Sequence, residues 1–216
     1  GFSSDFSSRF RGVMVMLKRQ KAPTGYFPTD AYLITDCVDA VERRLFRGEA
    51  IFGHDGPAGS WPVLHLDSSL DEHLPLALVA FGDRTLELAG RCFDDVVLHT
   101  YFTDEVTARC VELVKNAAAN AGRDPADVRV WSCFATVGDH LAPEVRLKKT
   151  VGRLGTYLQG YGELLVRTNG WDHEVLRRFL ADPVIASVAG LDIVGTTDQL
   201  EHAATLLPDE WFEASA

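Results

Sequence analysis

The sequence predicts an α/β fold with a parallel sheet, because apolar strand-length runs alternate with helical patterns in the middle of the chain. The apolar runs lie at residues 76–81, 96–99 and 128–137. Continuous apolar runs of this length are typical of strands that are buried on both faces. Amphipathic helical patterns at residues 82–90 and 103–121 separate them. Parallel neighbours cannot be joined by tight turns, so this order indicates helical crossovers between parallel strands.

The segments before this core are less regular. The first 28 residues are rich in Ser, Phe and Arg and contain one short apolar stretch, which we interpret as a loop around one short element. Apolar residues at helical spacing then run from Thr29 to a stop at Gly48. Residues 52–60 hold four glycines or prolines, so we predict a loop there and a short strand at 61–66.

From residue 143 onward the pattern is helical. Helices are predicted at residues 147–166, 174–180 and 199–207. Four glycines, at positions 152, 155, 160 and 162, interrupt the first of these helices. The glycine-rich stretch lacks the Lys-Ser/Thr that follows the last glycine of a phosphate-binding P-loop, so we attribute it to helix packing.

Composition excludes several classes of protein. The 216 residues are 46% hydrophobic and 24% charged, which is ordinary for a globular domain. A formal net charge of −10 argues against nucleic acid as a partner. No stretch approaches the roughly 18 apolar residues of a membrane helix, and residues 1–11 lack the order of a secretion signal. We therefore expect a cytoplasmic protein that binds neither nucleic acid nor membrane.

Metal and hydrolase chemistry have little support. The spacing of His54, His65 and His73 matches no zinc pattern such as HExxH, so we expect no metal site. No GxSxG elbow occurs. The cysteines are far apart and form no CxxC pair, which argues against a zinc site or a redox dithiol: Cys37, Cys92, Cys110 and Cys133.

The middle of the chain resembles the portion from the fifth to the seventh strand of luciferase-like F420-dependent oxidoreductases. Residues 76–131 read LALVAFGDRTLELAGRCFDDVVLHTYFTDEVTARCVELVKNAAANAGRDPADVRVW. The resemblance rests on a strand ending Ala-Phe-Gly, the helix RTLELAG, an Asp pair before a strand ending Leu-His-Thr, and AGRDP after the next helix. Residues 148–171 and 196–211 resemble the helical insertion of one actinobacterial subfamily, and residues 39–67 resemble its segment after the fourth strand.

This resemblance implies a partial (β/α)8 TIM barrel of the bacterial-luciferase-like type with a helical C-terminal insertion. A complete barrel needs roughly 250 residues, so we expect the sequence to lack the first four strands and the last. We expect one domain over residues 1–216, made of an atypical N-terminal segment (1–28), β/α units (29–142) and the helical insertion (143–216).

The resemblance also implies where a cofactor binds. In this family, backbone amides at two turns after strands hold the ring edge and the phosphate of the cofactor, at the barrel face where such enzymes place their sites. The matching residues, which we expect to bind the cofactor, are Val79, Ala80, Phe81, Gly82, Asp83, His99 and Thr100. A backbone without Cβ at Gly82 can approach a ligand closely. The alternatives are a plain turn glycine and a half-buried histidine without a ligand.

The implied activity is hydride transfer between coenzyme F420 and a small organic substrate. One alternative is an FMN-dependent luciferase-like monooxygenase, and another is a cofactor-free truncated fragment that acts only by association. No catalytic residue is assigned, and His99 is expected to contact the ligand and not to transfer a proton. Asp94 and Asp95 are predicted to be turn residues on the stability face of the barrel. We expect a small-molecule substrate as partner and consider a homodimer as the assembly.

Overall fold

A computed structural model describes residues 13–15, 43–56, 59–66 and 75–214. Its strands are β1 (Val13–Val15), β2 (Ile51–Gly56), β3 (Gly59–Leu64), β4 (Leu76–Val79), β5 (Asp95–Val97) and β6 (Arg129–Trp131). Its α-helices are α1 (Arg43–Phe46), α2 (Asp83–Cys92), α3 (Asp104–Asn120), α4 (Pro143–Leu147), α5 (Arg153–Asn169), α6 (His173–Ala181), α7 (Pro183–Ala186), α8 (Leu191–Val194), α9 (Thr197–Leu206) and α10 (Asp209–Glu213). A 3₁₀ turn covers Pro125–Asp127, and a π-helix covers Lys148–Gly152.

The chain divides into two compact units. The first comprises Gly1–Val97 and Leu113–Val130, and the second comprises Leu98–Glu112 and Trp131–Ala216. The expectation of one domain over residues 1–216 stays a prediction, as do the boundaries of its three segments. Most of the helix expected between Thr29 and Gly48 lies outside the described residues, which include its last part as α1.

Four strands form a sheet in the order β1-β4-β5-β6. Strand β1 runs parallel to β4, and β4 runs parallel to β5. Backbone bonds from Arg129 N to Asp94 O and from Leu98 N to Trp131 O follow the same order along both strands, so β6 is parallel as well. The predicted parallel sheet is thereby confirmed, and the short element within the first 28 residues is strand β1.

Two predictions of local structure are wrong. Residues 52–56 and 59–60 belong to strands and not to a loop, because β2 and β3 pair antiparallel with Ile51 opposite Leu64 and His54 opposite Trp61. Cross-strand pairing and a His54–Trp61 ring stack outweigh the high glycine content. The third strand, predicted at 128–137, ends at Trp131 instead. A strand extends only where a neighbour supplies backbone partners, and β5 ends at Val97.

In the first unit, α2 packs closely against α3 through a glycine. A Cβ atom on Gly90 would lie 2.2 Å from the carbonyl oxygen of Val114 and 2.9 Å from Cβ of Ala117. No side chain fits between the two backbones at this point. The apolar residues of α2, β4 and β5 around the contact are fully or almost fully buried: Leu76, Leu78, Leu86, Leu88, Ala89 and Val96.

An ion-pair network binds the N-terminal ends of the strands. Asp94 accepts a hydrogen bond from Leu76 N at 2.8 Å and pairs with Arg43 at 3.0 Å. Asp95 is fully buried and pairs with Arg129 at 2.7 Å. Asp94 lies in a bend, as predicted for a turn residue, whereas Asp95 is the first residue of β5. Both carboxylates therefore tie strand ends together.

In the second unit, the glycines of α5 lie at helix contacts. A Cβ atom on Gly155 would lie 2.6 Å from Cδ1 of Leu191, and one on Gly162 would lie 2.6 Å from Cδ1 of Leu176. The proposal that helix packing explains this glycine-rich stretch is confirmed at these positions. Gly160 differs, because open space surrounds its Cβ direction.

The described residues contain neither a membrane-spanning helix nor a cluster of metal ligands. None of their helices has both the length and the apolar character needed to cross a bilayer. No group of three or more His, Cys, Asp or Glu side chains among them is placed to hold a metal ion. His73 lies outside the described residues.

Candidate functional site

The first predicted cofactor segment follows β4 in the first unit. Strand β4 ends at Val79, and Ala80 is fully buried and donates its N–H to Val97 O at 3.0 Å. Phe81 and Gly82 are half-buried, and Asp83 begins α2. The segment therefore has the strand-to-helix geometry that was predicted.

Gly82 is the capping residue of α2, and its surroundings are open. Its backbone is extended, with φ −94° and ψ 154°, and no side chain caps the helix N-terminus. Apart from its two chain neighbours, no described residue has a heavy atom within 4 Å of the position that a Cβ atom would take. Neither backbone conformation nor protein packing requires glycine here, so there is room for a ligand to approach the main chain.

The second predicted segment, His99 and Thr100, follows β5 and belongs to the second unit. His99 Nδ1 donates a hydrogen bond to the carbonyl oxygen of Thr100 at 2.7 Å, because a carbonyl can only accept. This bond assigns the proton of the neutral ring to Nδ1. That the two predicted segments bind one cofactor stays a prediction.

His99 is held neutral at pH 7. Burial of the ring lowers the pKa of His99 below its ordinary value, and the nearby Arg153 guanidinium lowers it further. The hydrogen bond to Thr100 raises the pKa of His99, but this effect is smaller than that of burial. A neutral imidazole adds no charge to the site, which agrees with a role in ligand contact.

The ring of His99 belongs to an aromatic group of the second unit, which we call the tyrosine cluster and which comprises His99, Tyr101, Tyr157 and Tyr161. The His99 ring lies 5.1 Å from that of Tyr157 and 5.8 Å from that of Tyr161, centroid to centroid. Tyr101 lies 5.4 Å from Tyr157. Tyr101 is buried, whereas Tyr161 is 54% exposed, so the cluster reaches solvent at Tyr161.

Tyr101 has a backbone conformation that is rare for a residue with a side chain, with φ 63°. Asn169 supports this turn: its Nδ2 donates to Tyr101 O at 2.7 Å, and its Oδ1 accepts from Thr103 N at 3.3 Å. Such conformations cost about 1–3 kcal/mol and are concentrated at functional sites. Burial also raises the pKa of the Tyr101 phenol far above its ordinary value, so the phenol stays protonated at neutral pH.

Two buried polar atoms beside the tyrosine cluster, Arg153 Nε and Thr100 Oγ1, have no hydrogen-bond partner among the described residues. Arg153 directly follows the π-helix, a local irregularity that often marks functional sites. Its Cζ atom lies 5.5 Å from the Tyr157 ring centroid. Buried polar groups are nearly always satisfied in proteins, so these two atoms offer binding positions to a polar group of a ligand.

Arg153, Tyr157 and Tyr161 were not predicted as site residues. Their spacing of four residues places them on one face of a helix, and this was a signal available in the sequence. Tyr161 also marks a kink, with φ −133° and ψ 16° inside α5. Apolar residues at the same spacing normally indicate a core face, so the pattern by itself did not single out these three residues.

Two solved structures are similar to the chain in fold. The coenzyme F420-dependent tetrahydromethanopterin reductase from Methanopyrus kandleri matches with a TM-score of 0.58 and 17% identity, over 83% of this chain and 48% of that protein. An F420-dependent secondary alcohol dehydrogenase in complex with an F420-acetone adduct matches with a TM-score of 0.54 and 16% identity, over 94% and 55%. The chain thus spans about half the length of these relatives.

These likenesses confirm the predicted α/β fold, a partial TIM barrel of the luciferase-like type. No curated protein gives a significant match. The sequence itself matches the model of the family described as luciferase-like monooxygenase over residues 33–149, which is more than half of the chain. The resemblance carried by residues 76–131 lies within this range. The chain therefore belongs to the luciferase-like monooxygenase family.

Proposed function

We propose that the chain acts as an oxidoreductase that transfers a hydride between coenzyme F420 and a small organic substrate. The observation that carries the proposal is the family match over residues 33–149. Both similar solved structures are F420-dependent, one a reductase and the other a dehydrogenase, and this supports F420 over FMN as the cofactor. The fold likeness supports the oxidoreductase class, and the substrate follows from neither comparison.

The first unit offers a segment that fits part of such a cofactor. The segment from Val79 to Asp83 leaves the space beside Gly82 open, and no side chain caps the N-terminus of α2. The main-chain N–H groups of a helix N-terminus attract anions, so this turn suits the phosphate or an edge of the ring system. We propose that Val79, Ala80, Phe81, Gly82 and Asp83 bind the cofactor mainly through their backbone.

His99 and Thr100 are the second proposed cofactor segment. We propose that Thr100 contacts the cofactor through its backbone, as the family resemblance implies for the amides of this turn. The neutral ring of His99 is oriented by its bond to the Thr100 carbonyl, so it is suited to contact and positioning. Bound F420 would accept the hydride in its oxidised form or donate it in its reduced form, while the protein orients the reactants and excludes water.

Titration of F420 and of FMN into the purified chain, followed by fluorescence quenching, tests the proposal. We expect F420 to bind more tightly than FMN. Gly82→Ala places a methyl group in the space proposed for the ligand, and we expect it to weaken F420 binding about tenfold, which corresponds to about 1.4 kcal/mol. Gly160→Ala is the matched control, because it adds the same methyl group in open space on α5 and should leave affinity unchanged.

The other outcomes separate the alternatives. Tighter binding of FMN than of F420 would favour an FMN-dependent monooxygenase. Binding of neither cofactor, together with self-association of defined stoichiometry, would favour a fragment that acts only by association. Equal F420 affinity of Gly82→Ala and wild type would remove Gly82 from the proposed site.

A further inference from the structure

Arg153 forms no ion pair within the part of the chain that the structure describes. No carboxylate among the described residues pairs with its guanidinium. The guanidinium lies over the Tyr157 ring, and its charge lowers the pKa of His99 and of Tyr101. Its Nε atom is buried and has no hydrogen-bond partner. By contrast, Arg129 of the first unit pairs with the buried Asp95. Arg153 therefore differs from an arginine that serves only to stabilise the fold.

The Nε edge is one of the edges through which a guanidinium binds carboxylates. Arginine binds a planar carboxylate through two parallel N–H···O bonds, and Nε–H can supply one of them. The Thr100 hydroxyl, also buried and unpartnered, can donate a further hydrogen bond. Both groups are hydrogen-bond donors, as an oxyanion requires.

The surroundings favour a single negative charge on a flat molecule. Tyr157 and Tyr161 follow Arg153 along one face of α5, and their rings lie 6.4 Å apart. Neighbouring His99 carries no charge at pH 7. The charged groups of this region are Arg153 and Asp192, and Asp192 accepts a hydrogen bond from Thr156. A single guanidinium is better matched to a monoanion than to a phosphate dianion. Aromatic side chains stack favourably with planar rings.

We propose that Arg153, Thr100, Tyr157 and Tyr161 form a binding site for an aromatic carboxylate. Arg153 holds the carboxylate with the help of the Thr100 hydroxyl, and the two tyrosine rings contact the ring of the ligand. The site stands on the geometry of the second unit alone. Its assignment to the substrate of the enzyme rests on the proposed function.

Isothermal titration of benzoate into the chain, without added cofactor, tests the site. Benzamide serves as the uncharged analogue, acetate as the carboxylate without a ring, and inorganic phosphate as the competing oxyanion. We expect benzoate to bind at least tenfold more tightly than each of the three. Arg153→Gln should lower benzoate affinity at least tenfold, and Tyr161→Ala should lower it while leaving acetate binding unchanged.

Arg167→Gln is the matched control, because Arg167 is an exposed arginine near the end of the same helix. It should bind benzoate like wild type. Circular dichroism checks that each variant is folded. If Arg153→Gln does not fold, Arg153→Lys takes its place, because it keeps the charge but lacks the planar donor group. We expect it to bind benzoate more weakly than wild type while it still prefers benzoate over the uncharged benzamide.

Several results would overturn the proposal. These are equal affinity for benzoate and benzamide, undiminished benzoate binding by a folded Arg153 variant, no benzoate binding at all, or tighter binding of phosphate that depends on Arg153. The last result would assign Arg153 to a phosphate group instead. Benzoate binding without F420 binding would support this site and contradict the proposed function, whereas F420 binding without benzoate binding would do the reverse.

Discussion

Single residues in the turn after β5 show how the second unit maintains an unfavourable backbone conformation near the tyrosine cluster. Tyr101 lies at positive φ, and the side chain of Asn169 bonds both the Tyr101 carbonyl and the Thr103 N–H. The buried Tyr101 ring also packs beside Tyr157. The strained turn is therefore held by one amide side chain and by ring packing.

Asn169→Ala should destabilise the protein by about 1–3 kcal/mol, because two partly buried backbone groups lose their partner. Urea unfolding followed by circular dichroism measures the change. Asn116→Ala is the control, because Asn116 is exposed on α3 and its replacement should change the free energy of unfolding by no more than about 0.5 kcal/mol. Equal stability of the two variants would show that Asn169 does not support the turn.

A second residue-scale prediction concerns Asp182, which caps α7 by accepting from Val184 N and Ile185 N. A hydrogen bond from His202 at 3.0 Å lowers the pKa of Asp182, and the bonds to the helix N–H groups lower it further. A carboxyl group whose pKa is lower in the folded state stabilises the fold above its unfolded pKa. That contribution is lost as the pH falls through the folded pKa.

The Asp182→Asn variant should therefore lose less stability than wild type as the pH falls below about 4, which is near the ordinary pKa of aspartate. Urea midpoints measured between pH 7 and the acid limit of folding give the two profiles. Asp198→Asn, at an exposed position in the first turn of α9, should retain the wild-type profile. Parallel acid profiles for Asp182→Asn and wild type would exclude this role of Asp182.

At the scale of elements, the contact between α2 and α3 depends on the absence of a side chain at Gly90. Gly90→Ala places a methyl group 2.2 Å from a backbone carbonyl oxygen, which cannot move without shifting α3. We expect a loss of about 1–3 kcal/mol, as for other overpacked cores. Urea unfolding measures it, with Gly160→Ala as the variant that adds the same group without a clash. A Gly90→Ala protein as stable as the control would contradict the packing described here.

Elements with strong local signals were predicted well from the sequence. Helices α2 and α3 lie close to their predicted ranges, because apolar periodicity and the stop at Gly122 are local properties of the chain. The hairpin of β2 and β3 was not predicted, because it depends on cross-strand pairing, whereas the high glycine content of this segment is typical of a loop. The extent of β6 was overestimated, because strand length depends on the neighbouring strand.

At the scale of the whole molecule, cofactor binding should raise stability by mass action. A ligand that binds only the folded state at one hundred times its Kd adds about 2.7 kcal/mol to the free energy of unfolding. We expect F420 at this ratio to raise the thermal midpoint clearly, and FMN at equal concentration to raise it less. Fluorescence quenching by F420 without a change in the midpoint would indicate non-specific association. The homodimer, the cytoplasmic location and the absence of nucleic-acid partners stay predictions.

The sequence by itself determined the α/β class, the parallel direction of the strands, the family resemblance and the turn at Gly82, because each of these is expressed in a local pattern or a short motif. Only the tertiary structure decided which residues share a site in the second unit. It places the turn containing His99, Thr100 and Tyr101 beside Arg153, Tyr157 and Tyr161, more than fifty positions later in the chain. The burial of Arg153 Nε and of the Thr100 hydroxyl without a partner likewise depends on packing between distant segments, which local periodicity does not encode.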